Sequence, residues 1–340
     1  MIKVAKSNRF GIILPFLIFS FFVSHVWAHT PLNTTDEIHS LETALEVPNP
    51  TKSWTLYRQL HHEGEAEYYK LVLEDGERLR LSLYVKELDN FSPQLVVMGE
   101  DFGLDDNVPD SIEKPEGYGV ILFDSTKPEE REYEPFTPTS YYYLIDVDIP
   151  IIKNGDYYVA VFEPNLEEGK YGIAIGYKEE YSLSEWIMIP FDVIAIHEWE
   201  GQQLIGILAP LLLSLIVGFF VLIWKRLIKL NVFNIIGSTA GLLYVGSGLM
   251  IFTQMIIALS GAPFSSTAVL TVIFMAIPLI LGYFLLRKVI RFKGTLSNKD
   301  RIIFIAFGVA GIFFGSGLII GPVLAIFCGV FPIGLFKSGQ

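Results

Sequence analysis

Arg78-Leu79-Arg80-Leu81-Ser82-Leu83-Tyr84-Val85 alternates a polar or aromatic position with an aliphatic one at every step. Residues two apart share one face of a β-strand, so Leu79, Leu81, Leu83 and Val85 form a buried face while Arg78, Arg80 and Ser82 meet water. Just upstream, Glu74-Asp75-Gly76-Glu77 supplies a tight turn, because Asp-Gly favours the positive φ angles that two-residue hairpins require; Asn154-Gly155 is expected to do the same before Asp156. Stretches of the same kind recur at Trp54 to Leu60, Glu67 to Leu73, Gln94 to Met98, Gly119 to Phe123, Tyr141 to Val147, Asp156 to Phe162 and Tyr171 to Tyr177. With Arg78 to Val85 they predict an all-β, jelly-roll-like sandwich over residues 52–180, preceded by an N-terminal arm, 29–51.

Several of these segments carry a resemblance. Glu67-Tyr68-Tyr69-Lys70-Leu71-Val72-Leu73, the Asp75-Gly76 turn, Arg78 to Leu83, Gly155-Asp156-Tyr157-Tyr158-Val159-Ala160-Val161 and Tyr171-Gly172-Ile173-Ala174-Ile175 resemble the bacterial pre-peptidase C-terminal (PPC) domain, a sandwich appended to secreted proteins. The resemblance covers about residues 67–177 and no membrane segment. It implies a binding or accessory module, calcium-binding in some members, and no catalytic chemistry. This chain departs from the family in its long acidic insertion, Glu100 to Glu134, and in a multispanning region where a protease would stand.

Charge divides the chain. Residues 29–203 hold 12 bases and 36 of the 37 acids, a net charge of −24, whereas residues 204–340 hold ten bases and only Asp300. Ionised side chains are strongly avoided at the centre of a bilayer, so the second region is read as an all-α transmembrane domain of four helices at about 204–224, 232–259, 267–286 and 302–329. Lys225, Arg226, Lys229 and the bases from Arg287 to Arg301 mark loops 225–231 and 287–301 as cytoplasmic, leaving residues 29–203 extracytoplasmic in a multi-pass plasma-membrane protein.

The last apolar run is long for one crossing and short for two. Ala240-Gly241-Leu242-Leu243-Tyr244-Val245-Gly246-Ser247-Gly248-Leu249-Met250-Ile251 recurs, one residue shorter, from Ala310 to Ile320. That register matches Pro263 to Pro332 and leads to the expectation of a single crossing kinked near Pro322; the alternative is a hairpin at Gly321-Pro322. The glycines of both copies allow close helix approach, within the chain or towards other membrane subunits.

At the N-terminus, Lys3, Lys6 and Arg9 precede an apolar run and then Val26-Trp27-Ala28, the pattern of a signal peptide spanning 1–28; an uncleaved anchor is the alternative, and both put the acidic region across the membrane. The lone cysteine, Cys328, permits no intrachain disulfide.

Cleavage after Ala28 would leave an α-amino group beside the imidazole of His29, a pair able to chelate copper or zinc; His39, His61 and His62 are available as a second histidine, though adjacent His61 and His62 would point to opposite faces, so at most one of these two joins. Asp101, Asp105 and Asp106 form an oxygen-rich loop of the kind that holds Ca2+, though a solvated acidic loop is the commoner use of such a run. Glu129 to Glu134 is likewise read as a solvated loop. Asn33 and Asn90 head glycosylation triplets. Trp186, Trp199 and Trp224 are candidate anchors at the headgroup level, and the aromatic stretch from Tyr181 to Gln203 is expected to pack between sandwich and bilayer. No basic patch suited to nucleic acid, nucleophile elbow, zinc-protease motif or phosphate loop is present. The sequence therefore predicts a non-enzymatic cell-surface protein whose sandwich binds a protein, glycan or cation, with metal handling or solute passage as alternatives.

Overall fold

The computed structural model describes residues 29–32, 34, 37–61, 64–103 and 108–330; the signal segment, Asn33, His62, Asp105, Asp106 and Pro332 lie outside it. Two mixed sheets come first. One runs β1(Thr30–Pro31), β3(Trp54–Leu60), β11(Gly169–Ile175), β5(Arg78–Val85), β9(Thr139–Pro150), β8(Glu132–Glu134) in spatial order. The other runs β2(Leu45–Glu46), β4(Ala66–Leu73), β10(Gly155–Phe162), β6(Gln94–Gly99), β7(Gly119–Phe123).

The alternation of the opening octet holds, and it builds the core. Leu79, Leu81, Leu83 and Val85 of β5 join Leu56, Ile173 and Ile175 from their own sheet and Tyr69, Leu71, Val97, Val159 and Val161 from the other in one buried cluster. Burial of this apolar surface, at roughly 25 cal/mol per Å2, is what binds the two layers in the absence of cross-links. On the outer face Arg78 and Arg80 form ion pairs with Asp148 and Asp146 of β9. The residues expected to form a separate arm instead belong to the sandwich: β1 adds a parallel edge to β3, and β2 a parallel edge to β4. Gly76 takes the predicted positive φ of 88°, but Gly155 does not; it starts β10, and the Asn154 side chain accepts a 2.6 Å hydrogen bond from the Asp75 amide.

Six helices follow among the described residues, in place of the four expected: α1(Leu183–Trp199), α2(Leu204–Trp224), α3(Val232–Ser260), α4(Ala268–Ile290), α5(Asn298–Phe313) and α6(Ile320–Val330). Three of them, α2, α3 and α4, are long and apolar enough to cross a membrane. The juxtamembrane stretch is α1, opened by a capping box in which Ser182 and Glu185 satisfy each other's amides, and carrying Pro190 internally.

The final run folds back, which corrects the single crossing. Helix α5 stops at Phe313, a turn follows, and α6 returns, so that Arg301 at the start of α5 donates to the carbonyl of Gly329 at the end of α6 over 3.1 Å. Gly315, Gly317, Leu318 and Ile319 all have positive φ, a geometry no helix can carry. The reversal thus falls at 314–319, ahead of the expected Gly321-Pro322.

The repeated glycine segments pack against each other. Tyr244, from the first copy, lies over Gly311, Gly317 and Gly321, where any Cβ would fall within 3 Å of its ring, and its hydroxyl donates to the Phe307 carbonyl at 2.9 Å. Ser247 accepts from the amide of Gly317 at 2.8 Å and so fixes the turn. Gly241 and Gly282 likewise bring α3 onto α4. These small-residue faces are filled by the chain's own side chains.

Candidate functional site

A chain of polar and aromatic contacts seats the outer face of the β1-to-β8 sheet on the helices. Trp199 of α1 donates to the carbonyl of Arg58 at 3.1 Å and lies 4.9 Å, ring to ring, from Tyr57. Lys52 pairs with Glu185 at 2.6 Å and Lys86 with Glu200 at 2.9 Å. Tyr133 of β8 donates to Thr271 of α4, which donates in turn to the carbonyl of Pro135, both at 2.8 Å. Gln202 and Gln254 exchange two amide hydrogen bonds of 3.0 and 2.9 Å, tying the end of α1 to α3.

Between these contacts lies a partly open cavity of about 220 Å3. Its roof is sandwich: Tyr57, Tyr84, Tyr141 and Tyr143, with Glu134 beside them. Its wall is α1, which contributes Asp192 and His197; its floor is Ile207, Met250, Phe274 and Leu318 from the helices and from the turn after α5. One irregularity aims the roof. Between Leu83 and Tyr84 the ladder slips by a residue, pairing Tyr84 with Tyr143, so that Leu144 and Ile145 both turn inward while Tyr141 and Tyr143 turn outward beside Tyr84. A bulge re-aims side chains in this way. Gly172 opposite Tyr84 leaves room for that ring, which a Cβ would meet at 2.1 Å.

The ionisable groups here depart from their ordinary behaviour. Burial raises the Glu134 carboxyl to about 7, with the charge of Glu179 acting the same way and the Phe136 amide opposing both. Burial also raises Asp192. Tyr57, Tyr141 and Tyr143 are pushed up chiefly by burial, Tyr84 to about 12, so all four stay neutral donors. Burial alone would raise Glu200, but His197 and Lys86 hold it below the usual range. His197 is 1 % exposed; its Nδ1 faces Glu200 Oε2 at 3.1 Å, and its Nε2 has no hydrogen-bond partner.

Among the candidates from the sequence, His29 does line the cavity. Its Nδ1 lies 2.5 Å from Ser53 Oγ, and burial with the nearby Arg80 charge lowers its imidazole to about 4. His61 follows the far end of β3, roughly 25 Å away at 3.3 Å per residue, so the two histidines do not meet. Asp101 has one buried carboxylate oxygen without a partner. Among the described residues no group of three or more His, Cys, Asp or Glu is placed to hold a metal ion. Asn90 is exposed. Trp224 is 70 % exposed at the end of α2, as an anchor requires, and Trp186 donates to the Phe313 carbonyl at 2.8 Å. Trp199 packs on the sandwich, against Tyr57 and the Arg58 carbonyl. Glu129 to Glu134, read as a solvated loop, instead ends in β8 and delivers Glu134 to the cavity; a three-residue strand gives too short a pattern to be seen in sequence.

No protein-family model matches the chain, and no curated protein does. Among solved structures, the chain has a β domain similar to the pre-peptidase C-terminal domain of a collagenase from Bacillus anthracis, at 12% identity and a TM-score of 0.24, over 42% of this chain and 99% of that one. The assignment of a sandwich here rests on the strand order and shared core given above.

Proposed function

We propose that this is a non-enzymatic, membrane-anchored binding protein of the cell surface, whose sandwich and helices together enclose an amphipathic small molecule at the water-lipid boundary. The observation that carries this reading is the cavity itself: one end is polar and aromatic and belongs to the sandwich, the other is apolar and belongs to helices fit to cross a membrane. Concave, largely apolar sites with a few convergent polar groups are the usual form of small-molecule sites, and domain interfaces their usual place. The segregation of acids to residues 29–203 and the basic loops 225–231 and 287–301 support placing the sandwich outside the plasma membrane.

Purification of the full chain from membranes in mild detergent, followed by native mass spectrometry, tests the reading. A bound amphiphile is expected on the native protein and absent from Met250→Trp, which fills the floor. Equal retention by both proteins, with the same thermal stability, would refute the site.

A further inference from the structure

The chemistry of the cavity wall points further, to the kind of head group it accepts, and this step rests on the cavity being a binding site. Among the described residues lining it, the charged side chains are the acids Glu134 and Asp192; none is Lys or Arg. A buried phosphate, sulfate or carboxylate would meet like charge with no counter-charge, an arrangement that costs several kcal/mol. A cation meets the opposite: a carboxylate with tyrosine side chains beside it, one of which, Tyr141, already carries the Lys86 ammonium over its ring at 5.5 Å, and a surrounding domain of net charge −24 that draws cations towards it.

His197 sharpens the choice. A carboxylate oxygen only accepts, so Nδ1, 3.1 Å from Glu200 Oε2, carries a ring hydrogen, and in the neutral ring Nε2 is then a lone pair. That nitrogen is buried, belongs to a residue of the cavity wall and has no partner within the protein. Buried acceptors are nearly always satisfied, and an N–H donor on the occupant supplies what is missing.

We propose that the cavity binds the N–H-bearing ammonium head of a lipophilic amine, held by the Glu134 carboxylate, the His197 Nε2 lone pair and the tyrosine side chains, with its apolar chain against Met250, Phe274 and Leu318. Two sources share this chemistry: an aminolipid of the surrounding leaflet, its phosphate left outside, and a soluble long-chain amine.

The test uses the full chain in nanodiscs of phosphatidylcholine and phosphatidylglycerol at pH 8, with radiolabelled octylammonium, 1-octanol and octyl sulfate measured by equilibrium dialysis against empty nanodiscs. One saturable octylammonium site per chain is expected, at least tenfold tighter than for octanol or octyl sulfate. Octyltrimethylammonium, which lacks an N–H, should bind several-fold more weakly than octylammonium. Glu134→Gln removes the charge of a half-buried side chain without changing shape, and should abolish the preference for the amine while leaving octanol bound. Equal binding of octanol and octylammonium to the native protein, or a preference that survives Glu134→Gln, overturns the proposal and leaves the amphiphile-binding function standing. Failure of every probe to bind refutes that function as well. Adding phosphatidylethanolamine separates the sources: loss of the octylammonium site identifies the lipid, and an undiminished site identifies a soluble amine.

Discussion

Two carboxylates set among tyrosines, the buried Glu67 and the half-buried Glu134, are finished differently. At one end of the sandwich interior, Glu67 receives the Arg58 guanidinium on both oxygens, at 3.1 and 3.0 Å from Nε and 2.5 Å from Nη2, along with the hydroxyl of Tyr171, itself 2.7 Å from that of Tyr69. Charge and hydrogen bonds both close within the chain. In the cavity, Glu134 accepts from the Phe136 amide at 3.1 Å, and among the described residues no Lys or Arg lines the wall beside it; nearby, His197 leaves a nitrogen unbonded. The same side-chain types thus make a strut where their bonding is complete and line the proposed receptor where it is left open. Buried polar groups are costly unless satisfied, so an incomplete set points outward to a ligand.

The contrast can be broken by mutation. Glu67→Ala leaves Arg58 buried without its partner, and a loss of about 3–5 kcal/mol of stability is expected, read as a large fall in melting temperature. Glu134→Gln should go the other way. The Glu134 pKa is raised on folding, so its favourable contribution is complete below the unfolded value near 4.5 and is lost as pH rises through about 7. Removing the charge should therefore stabilise the protein by about 2–3 kcal/mol at pH 8 and by nothing at pH 4, as followed by thermal unfolding at the two pH values. Absence of that pH dependence would mean Glu134 is solvated and the two carboxylates do not differ as described.

Smaller changes sharpen the picture. Gly172→Ala sets a methyl into the Tyr84 ring and is expected to cost about 1–3 kcal/mol while displacing the roof, so that probe binding falls more than stability does. Ser182→Ala removes one half of the α1 capping box, for about 1 kcal/mol, measured by denaturation, with the strut around Glu67 untouched.

The strut's neighbourhood was legible in the sequence and the receptor was not, for reasons of length and distance. Strands of five residues or more announce themselves by alternation, and all eight expected from the sequence occur; β1, β2 and β8, of two or three residues, exist only because longer strands pair with them. Membrane spans α2, α3 and α4 follow from uninterrupted apolar length. At the reversal over 314–319 the local signal, Gly315-Ser316-Gly317, also reads as part of a small-residue helix face, and Leu318 and Ile319 adopt positive φ with no residue preference to reveal it. Tyr57, Glu134, His197 and Met250 come from four elements far apart in the chain, so no spacing could unite them.

Tyr141-Tyr142-Tyr143 is a run whose members are chemically interchangeable, yet two of them face the helices and the middle one faces the sandwich core. Nothing in the triplet chooses which. The choice is made just downstream, where the adjacent aliphatics Leu144 and Ile145 compete for one interior side and the strand resolves the dispute with a single out-of-step residue. The aromatic lining is therefore addressed by neighbours that never touch it, and selection on those two side chains governs what the tyrosines can reach.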